Sequence, residues 1–325
     1  MLEHGGRLRQ AAQHYGIVLA DWLDLSTGIN PNGWPVPPLP AEVWSRLPEN
    51  DDGLEAAART YYGTDALLPV AGSQAAIQAL PLLRSTCRVA VLAPGYAEHA
   101  HAWRRAGHAM LFVTAGQVDD AVAQADVLVL MHPNNPTGAR FTLAQLHEWH
   151  TRLAARDGWL IVDEAFLDAT PEASLAPFCP RPGLIVLRSL GKFFGLSGAR
   201  TGFVLAPPEF LQRLNEQLGP WPISGPARAV ARLALEDHAW QTQTRARLAH
   251  AAQRLHELLR VGGLPPAGGT GLFQWVVTPQ AAAIHERLAR QGILTRLFSE
   301  PSSLRFGLPG NEANWAHLTV ALPSL

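Results

Sequence analysis

Between Cys87 and Pro207 the chain alternates short apolar runs with longer amphipathic stretches. The runs at 88–92, 127–131, 159–162, 184–187 and 202–206 are almost unbroken by polar residues, unlike the in–out alternation of a half-exposed strand. Continuous runs of this kind predict strands buried on both faces of a sheet. The stretch from Thr142 to Arg156 places Leu143, Leu146, Trp149 and Leu153 at three- and four-residue steps, the spacing of one helical face. Alternation of strand and helix predicts an α/β fold whose sheet is largely parallel. In such sheets ligands gather beyond the carboxyl ends of the strands.

The flanks read differently. Five prolines among residues 31–40 predict an irregular arm. Gly219-Pro220-Trp221-Pro222 and the residues up to Pro226 mark a hinge, and a long helical stretch is expected from about 227 to 259. The glycine-rich segment 262–271 precedes an apolar run at 272–277 instead of following one, so it reads as a turn and not as a nucleotide loop. The tail alternates strand and helix, which predicts a second, smaller α/β domain. The expected division is an N-terminal arm and part of the small domain at 1–45, a large cofactor-binding domain at 46–220, and a hinge, long helix and small C-terminal domain at 221–325.

Composition narrows the field. With 325 residues, 47% hydrophobic and 16% charged, the chain is long enough for two packed domains. A net charge of −1 gives no bulk field for nucleic acid or an anionic membrane, so anion recognition must come from local arginines. Two cysteines, Cys87 and Cys179, provide neither a disulfide framework nor a metal-ligand spacing. The first residues lack a basic segment followed by an apolar core, and no apolar run nears the ~20 residues that span a bilayer. A cytoplasmic protein without membrane or nucleic-acid partners is expected.

One residue stands apart. Lys192 is the only lysine in the chain; every other fixed cation is an arginine. It follows the apolar run 184–187 closely, with Ser189 three residues before it and Arg200 eight after. An amine just past a strand end can form a Schiff base with an aldehyde cofactor, while Ser189 and Arg200 hold that cofactor's phosphate. Asp163 and Glu164 end the run at 159–162, and a carboxylate at a buried strand end needs a partner to stay ionised. A pyridine nitrogen would serve; so would a helix N-terminus or a metal. His132-Pro133-Asn134-Asn135-Pro136-Thr137-Gly138 ends another run and can present Asn135 to a ring oxygen, or can simply be a turn. Ser73 and Gln74 open an apolar helical stretch, a seat for phosphate or an ordinary cap. Tyr96 follows the run at 88–92, where its ring could stack on a flat cofactor.

Together these motifs resemble the fold-type I family of pyridoxal-phosphate enzymes, the aspartate aminotransferase-like group. The resemblance spans nearly the whole chain and rests most on residues 134–138, 163–165 and 189–202. It implies pyridoxal 5'-phosphate as cofactor, Lys192 as the catalytic Schiff-base lysine and Asp163 as partner of the pyridine nitrogen. It further implies Asn135 at the ring oxygen, Tyr96 stacked on the ring, and Ser73, Gln74, Ser189 and Arg200 at the phosphate. Arg305 matches the family arginine for the substrate carboxylate, and Arg296 is a second cationic position. A homodimer is the expectation across the family. Two positions depart from the pattern: Phe166 stands where many relatives have tyrosine, and Leu47, in Arg46-Leu47-Pro48-Glu49, stands where many have the tyrosine that reaches the partner's cofactor phosphate.

The N-terminus narrows the reaction. His4-Gly5-Gly6, followed by Asp24-Leu25-Ser26-Thr27-Gly28-Ile29-Asn30-Pro31, resembles the head of the threonine-phosphate decarboxylases of cobalamin biosynthesis, and Trp221 matches their hinge. That resemblance implies a phosphorylated amino acid as substrate, with His4, Gly5, Gly28, Asn135, Arg296 and Arg305 as its contacts. The implied reaction is decarboxylation of L-threonine O-3-phosphate to (R)-1-amino-2-propanol phosphate. An aminotransferase acting on a phosphorylated amine such as histidinol phosphate would share most of these residues. A non-catalytic binding domain on this fold would lack the lysine or carry an added DNA-binding segment.

Overall fold

The structure is a computed structural model that describes residues 4–322. Contacts divide the chain into two compact units, a larger one of residues 33–135 and 140–242, and a smaller one that gathers the N-terminal segment, residues 136–139 and the chain from 243 onward. The boundaries thus fall at 32/33 and 242/243, where the sequence suggested 45/46 and 220/221.

The larger unit is built on a seven-stranded sheet in the order Leu67–Val70, Gly202–Leu205, Leu184–Ser189, Trp159–Asp163, Val127–Met131, Arg88–Leu92 and Ala109–Val113. Six strands run in one direction and Gly202–Leu205 runs against them. All five residues of Val127–Met131 and of Trp159–Asp163 are buried, which accounts for their unbroken apolar pattern. The strands end slightly later than the apolar runs suggest, because Asp163 and Ser189 still pair with their neighbours. These two polar residues are therefore delivered at the carboxyl edge of the sheet, beside the residue that precedes His132.

Helices cover the sheet through the faces their spacing predicts. Leu143–Ala154 buries Leu146, Trp149, His150 and Leu153. It starts at Thr142, whose hydroxyl accepts from the Gln145 amide while the Gln145 side chain accepts from the Thr142 amide. The expected long helix from 227 to 259 is instead two helices, Gly225–Glu236 and His238–Val261. Asp237 breaks it: one carboxylate oxygen accepts from the Trp240 amide and the other from the Trp34 indole, a cap that restarts the helix.

The smaller unit holds a four-stranded antiparallel sheet, Arg296–Phe298, Ser303–Gly307, Phe273–Val277 and Gly268–Thr270, and a short parallel pair of Leu23–Asp24 with Ile293–Leu294. Part of the glycine-rich segment read as a turn is thus an edge strand. Glycine is needed there because a Cβ on Gly268 would lie 2.1 Å from the Thr137 carbonyl oxygen, so the 136–139 segment could not approach. No helix among the described residues is long and apolar enough to cross a membrane.

Candidate active site

In the larger unit the sequence-selected residues converge on the carboxyl edge of the sheet. Lys192 lies in the loop just past Leu184–Ser189, partly buried, with Nζ 5.4 Å from the centre of the Phe166 ring. Phe166 itself follows Asp163 by three residues, so the adjacent strand end supplies the aromatic face against the ammonium. Asp163 is 1% exposed. Its Oδ1 accepts from the Ala165 amide at 3.0 Å, and its Oδ2 lies 2.9 Å from Nε2 of His99. The enclosed carboxylate lies beside the His99 imidazole at the floor of the site.

Ser73, Ser189 and Arg200 form a cradle. Ser189 pairs with Gly202 across the sheet, and a Cβ at Gly202 would stand 2.8 Å from the Ser73 amide nitrogen. A Cβ at Gly72 would stand 2.6 Å from the Arg200 guanidinium, so only a bare backbone lets that side chain lie across the turn. Arg200 itself adopts φ 52°, a left-handed conformation that costs a non-glycine residue on the order of 1 kcal/mol. Two hydroxyls, backbone amides and a guanidinium at one place make a donor set suited to a phosphate. Gln74 takes part differently from the expectation. Its side-chain oxygen accepts from the Tyr96 hydroxyl at 3.3 Å and its amide donates to Glu98 at 2.9 Å, so the side chain is engaged within the larger unit. Tyr96 stands edge-on to His99 with ring centres 6.0 Å apart, and burial with the nearby Asp163 charge pushes its hydroxyl up to about 12. Asn135 lies in the loop after Val127–Met131, and its neighbour Asn134 donates to the Pro94 carbonyl at 2.9 Å, tying that loop to the Tyr96 turn.

Two features of this region escaped the sequence reading. His99 shares the buried face of helix Ala97–Arg105 with Ala102 and Trp103, and an imidazole on an apolar stripe was the available signal. Glu164 points away from the site: its Oε2 meets Nη1 of Arg188 at 2.6 Å, and Arg188 also pairs with Asp168. Burial opposes the Arg188 charge, but Asp168 and Glu164 outweigh it and hold the guanidinium well above its usual range.

The smaller unit carries a second group. A cavity of about 710 Å³ is lined by His4, Gly5, Gly6, Arg7, Ser26 and Arg296, among others. Arg296 and Arg305 stand directly opposite each other on neighbouring antiparallel strands, and so on one face of the sheet. Like charges in that position repel. Burial first, and then Arg296, push Arg305 down to about 10 although Asp24 opposes the shift. Arg305 is only 6% exposed, lies over the Phe273 ring with Cζ 5.1 Å from its centre, and donates to the Ser26 carbonyl at 2.8 Å. Gly28 is buried one residue past Thr27, whose carbonyl closes on Gly307.

Comparison with known proteins agrees with this layout. The sequence profile described as aminotransferase class I and II matches residues 44–322. The threonine-phosphate decarboxylase of Pseudomonas aeruginosa is 60% identical over 322 residues, covering 99% of this chain and 97% of that protein. A threonine-phosphate decarboxylase from Sinorhizobium is 42% identical, covering 98% and 97%. Among solved structures, the histidinol-phosphate aminotransferase of Sinorhizobium meliloti in complex with pyridoxal-5'-phosphate superposes with a TM-score of 0.82, at 22% identity, over 99% of this chain and 95% of that one. At that identity the likeness speaks for the fold. The two sequence relatives and the profile go further: the chain belongs to the aminotransferase class I and II family.

Proposed function

We propose that this chain is a pyridoxal-phosphate-dependent decarboxylase that converts L-threonine O-3-phosphate to (R)-1-amino-2-propanol phosphate and carbon dioxide. The observation that carries the reading is a cavity lined by the His4-Gly5-Gly6 turn and Arg296, with Arg305 directly opposite Arg296 on the neighbouring strand. Two recognition points for anions suit a substrate bearing both a carboxylate and a phosphate. Histidinol phosphate carries only the phosphate. The names of the relatives at 60% and 42% identity support the same substrate.

The residues of the larger unit fit the cofactor. Ser73, Ser189 and Arg200 match its phosphate in donor type, and the bare backbone at Gly72 keeps the cradle open to Arg200. Asp163, buried and flanked by His99, suits a protonated pyridine nitrogen. Asn135 is assigned to the ring oxygen and Tyr96 to the ring face. Bound pyridoxal phosphate supplies an electron-poor ring that accepts the electron pair of the breaking carbon–carboxylate bond. The chain's own residues do the rest. Lys192 Nζ would hold the cofactor, and its ammonium would deliver the proton that takes the place of the departing carbon dioxide. Arg305 fixes the carboxylate's orientation, while His4, the Gly5 and Gly6 backbone and Arg296 are assigned to the substrate phosphate, with Gly28 beside them.

The reading extends to assembly and location. Trp44, Leu47, Val36 and Trp221 are exposed apolar residues of the larger unit, and their burial in a homodimer accounts for them. Leu47 then sits in an apolar contact where relatives place a hydroxyl. A cytoplasmic location is consistent with two free thiols, Cys87 and Cys179. The reaction is tested by adding 2-oxoglutarate to protein, cofactor and L-threonine O-3-phosphate. No glutamate should form and product release should not change; release that requires the keto acid would establish an aminotransferase instead.

A further inference from the structure

Within the smaller unit, Ser26 joins the two ends of the anion site. It is 2% exposed, yet each of its polar groups is engaged. Its hydroxyl donates to Asp24 Oδ1 at 2.6 Å and accepts from the Gly6 amide at 2.7 Å. Its own amide donates to the same Asp24 oxygen at 2.9 Å. Its carbonyl oxygen accepts from Arg305 at 2.8 Å. That carbonyl would also lie 2.2 Å from a Cβ on Gly5, so the His4-Gly5-Gly6 turn packs directly on the Ser26 backbone. A hydroxyl has one hydrogen to give; with Asp24 taking it, the lone pairs are left facing Gly6. Asp24 thereby fixes the direction in which Ser26 receives the turn.

We propose that Ser26, oriented by Asp24, is a positioning residue that sets the spacing between the His4-Gly5-Gly6 turn and Arg305, and so selects ligands carrying a phosphate and a carboxylate at the separation found in phosphothreonine. The proposal rests on the decarboxylase reading above. Ser26 touches neither anion in this assignment. Its effect is on where the two recognition points stand relative to each other, and a two-headed ligand feels that spacing while a one-headed ligand does not.

The test uses the holoenzyme and its Ser26→Ala variant, with thermal unfolding of both as a check on folding. The KM for L-threonine O-3-phosphate, read from carbon dioxide release, should rise about tenfold or more while kcat stays within about threefold. Inorganic phosphate as a competitive inhibitor should keep its inhibition constant within about twofold, because a lone anion follows the turn wherever it sits. Equal weakening of both ligands, or an unchanged KM, overturns the proposal. If Ser26→Ala does not fold, Asp24→Ala at its partly exposed position frees the hydroxyl to rotate and should give the same split between the two ligands, and its absence overturns the proposal equally. Wild-type release is measured alongside: none from the wild type refutes the decarboxylase reading, whereas normal release with an unchanged Ser26→Ala KM refutes only the role of Ser26.

Discussion

Arg188 in the larger unit and Arg305 in the smaller one both sit in strands and are 2% and 6% exposed, yet their surroundings are opposite. Arg188 is clasped by Glu164, Asp168 and the Ser174 hydroxyl, and its charge is reinforced. Arg305 faces another arginine across the sheet, and its charge is penalised. A buried cation supplied with carboxylates by its own chain serves the structure. In the proposed function, the one set against a like charge recognises an anion. In the proposed function the same contrast separates the two regions: the larger unit provides a lysine, a carboxylate and a phosphate cradle, and the smaller one provides positive charge for recognition.

Each substitution that tests this contrast should affect one region and spare the other. Lys192→Ala should cut carbon dioxide release by on the order of 10³-fold or more. Because Lys192 is the only lysine, borohydride treatment should fix cofactor mass to the wild-type chain at one side chain and to the variant at none. Arg188→Leu should destabilise the protein by roughly 3–5 kcal/mol in urea denaturation, since Glu164 and Asp168 are left buried without their counter-charge. Arg305→Leu should do the reverse: the KM for the substrate rises by roughly 10–100-fold, while the ligand-free protein is as stable as wild type or more so, by up to ~1 kcal/mol. A large loss of stability in Arg305→Leu would erase the distinction between the two arginines. The smallest effect concerns pH. Arg305 loses its proton as pH rises through about 10, and an anion binds only the charged form. The KM for the substrate, whose carboxylate Arg305 holds in the proposed reading, should therefore be level below that pH with respect to this group and rise above it, and the rise should be absent in Arg305→Leu.

The residues that read clearly from sequence are those whose chemistry is local. Lys192, Ser189 and Arg200 lie within one short stretch, and Asp163 and Asn135 each follow an apolar run whose strand is buried on both faces. What stayed hidden depends on distant pairings. His99 meets Asp163 across 64 residues of chain, and Gln74 spends its side chain on Tyr96 and Glu98 over 22 and 24 residues. Glu164 looked like a companion of Asp163, but strand alternation sends it to the other face, where Arg188 waits 24 residues on. Helical periodicity continued smoothly through Asp237, and only its capping bonds to Trp240 and Trp34 reveal the break. The opposition of Arg296 and Arg305 follows from antiparallel register, which the sequence does not announce.

The central claim is that the two anion-recognising arginines serve a substrate that loses its carboxylate. The direct measurement supplies the holoenzyme with L-threonine O-3-phosphate labelled in the carboxyl carbon, without any keto acid, and counts labelled carbon dioxide against amine product. The account predicts one labelled carbon dioxide for each 1-amino-2-propanol phosphate over many turnovers. Product formation that stops at a single turnover and retains the labelled carboxylate would contradict it.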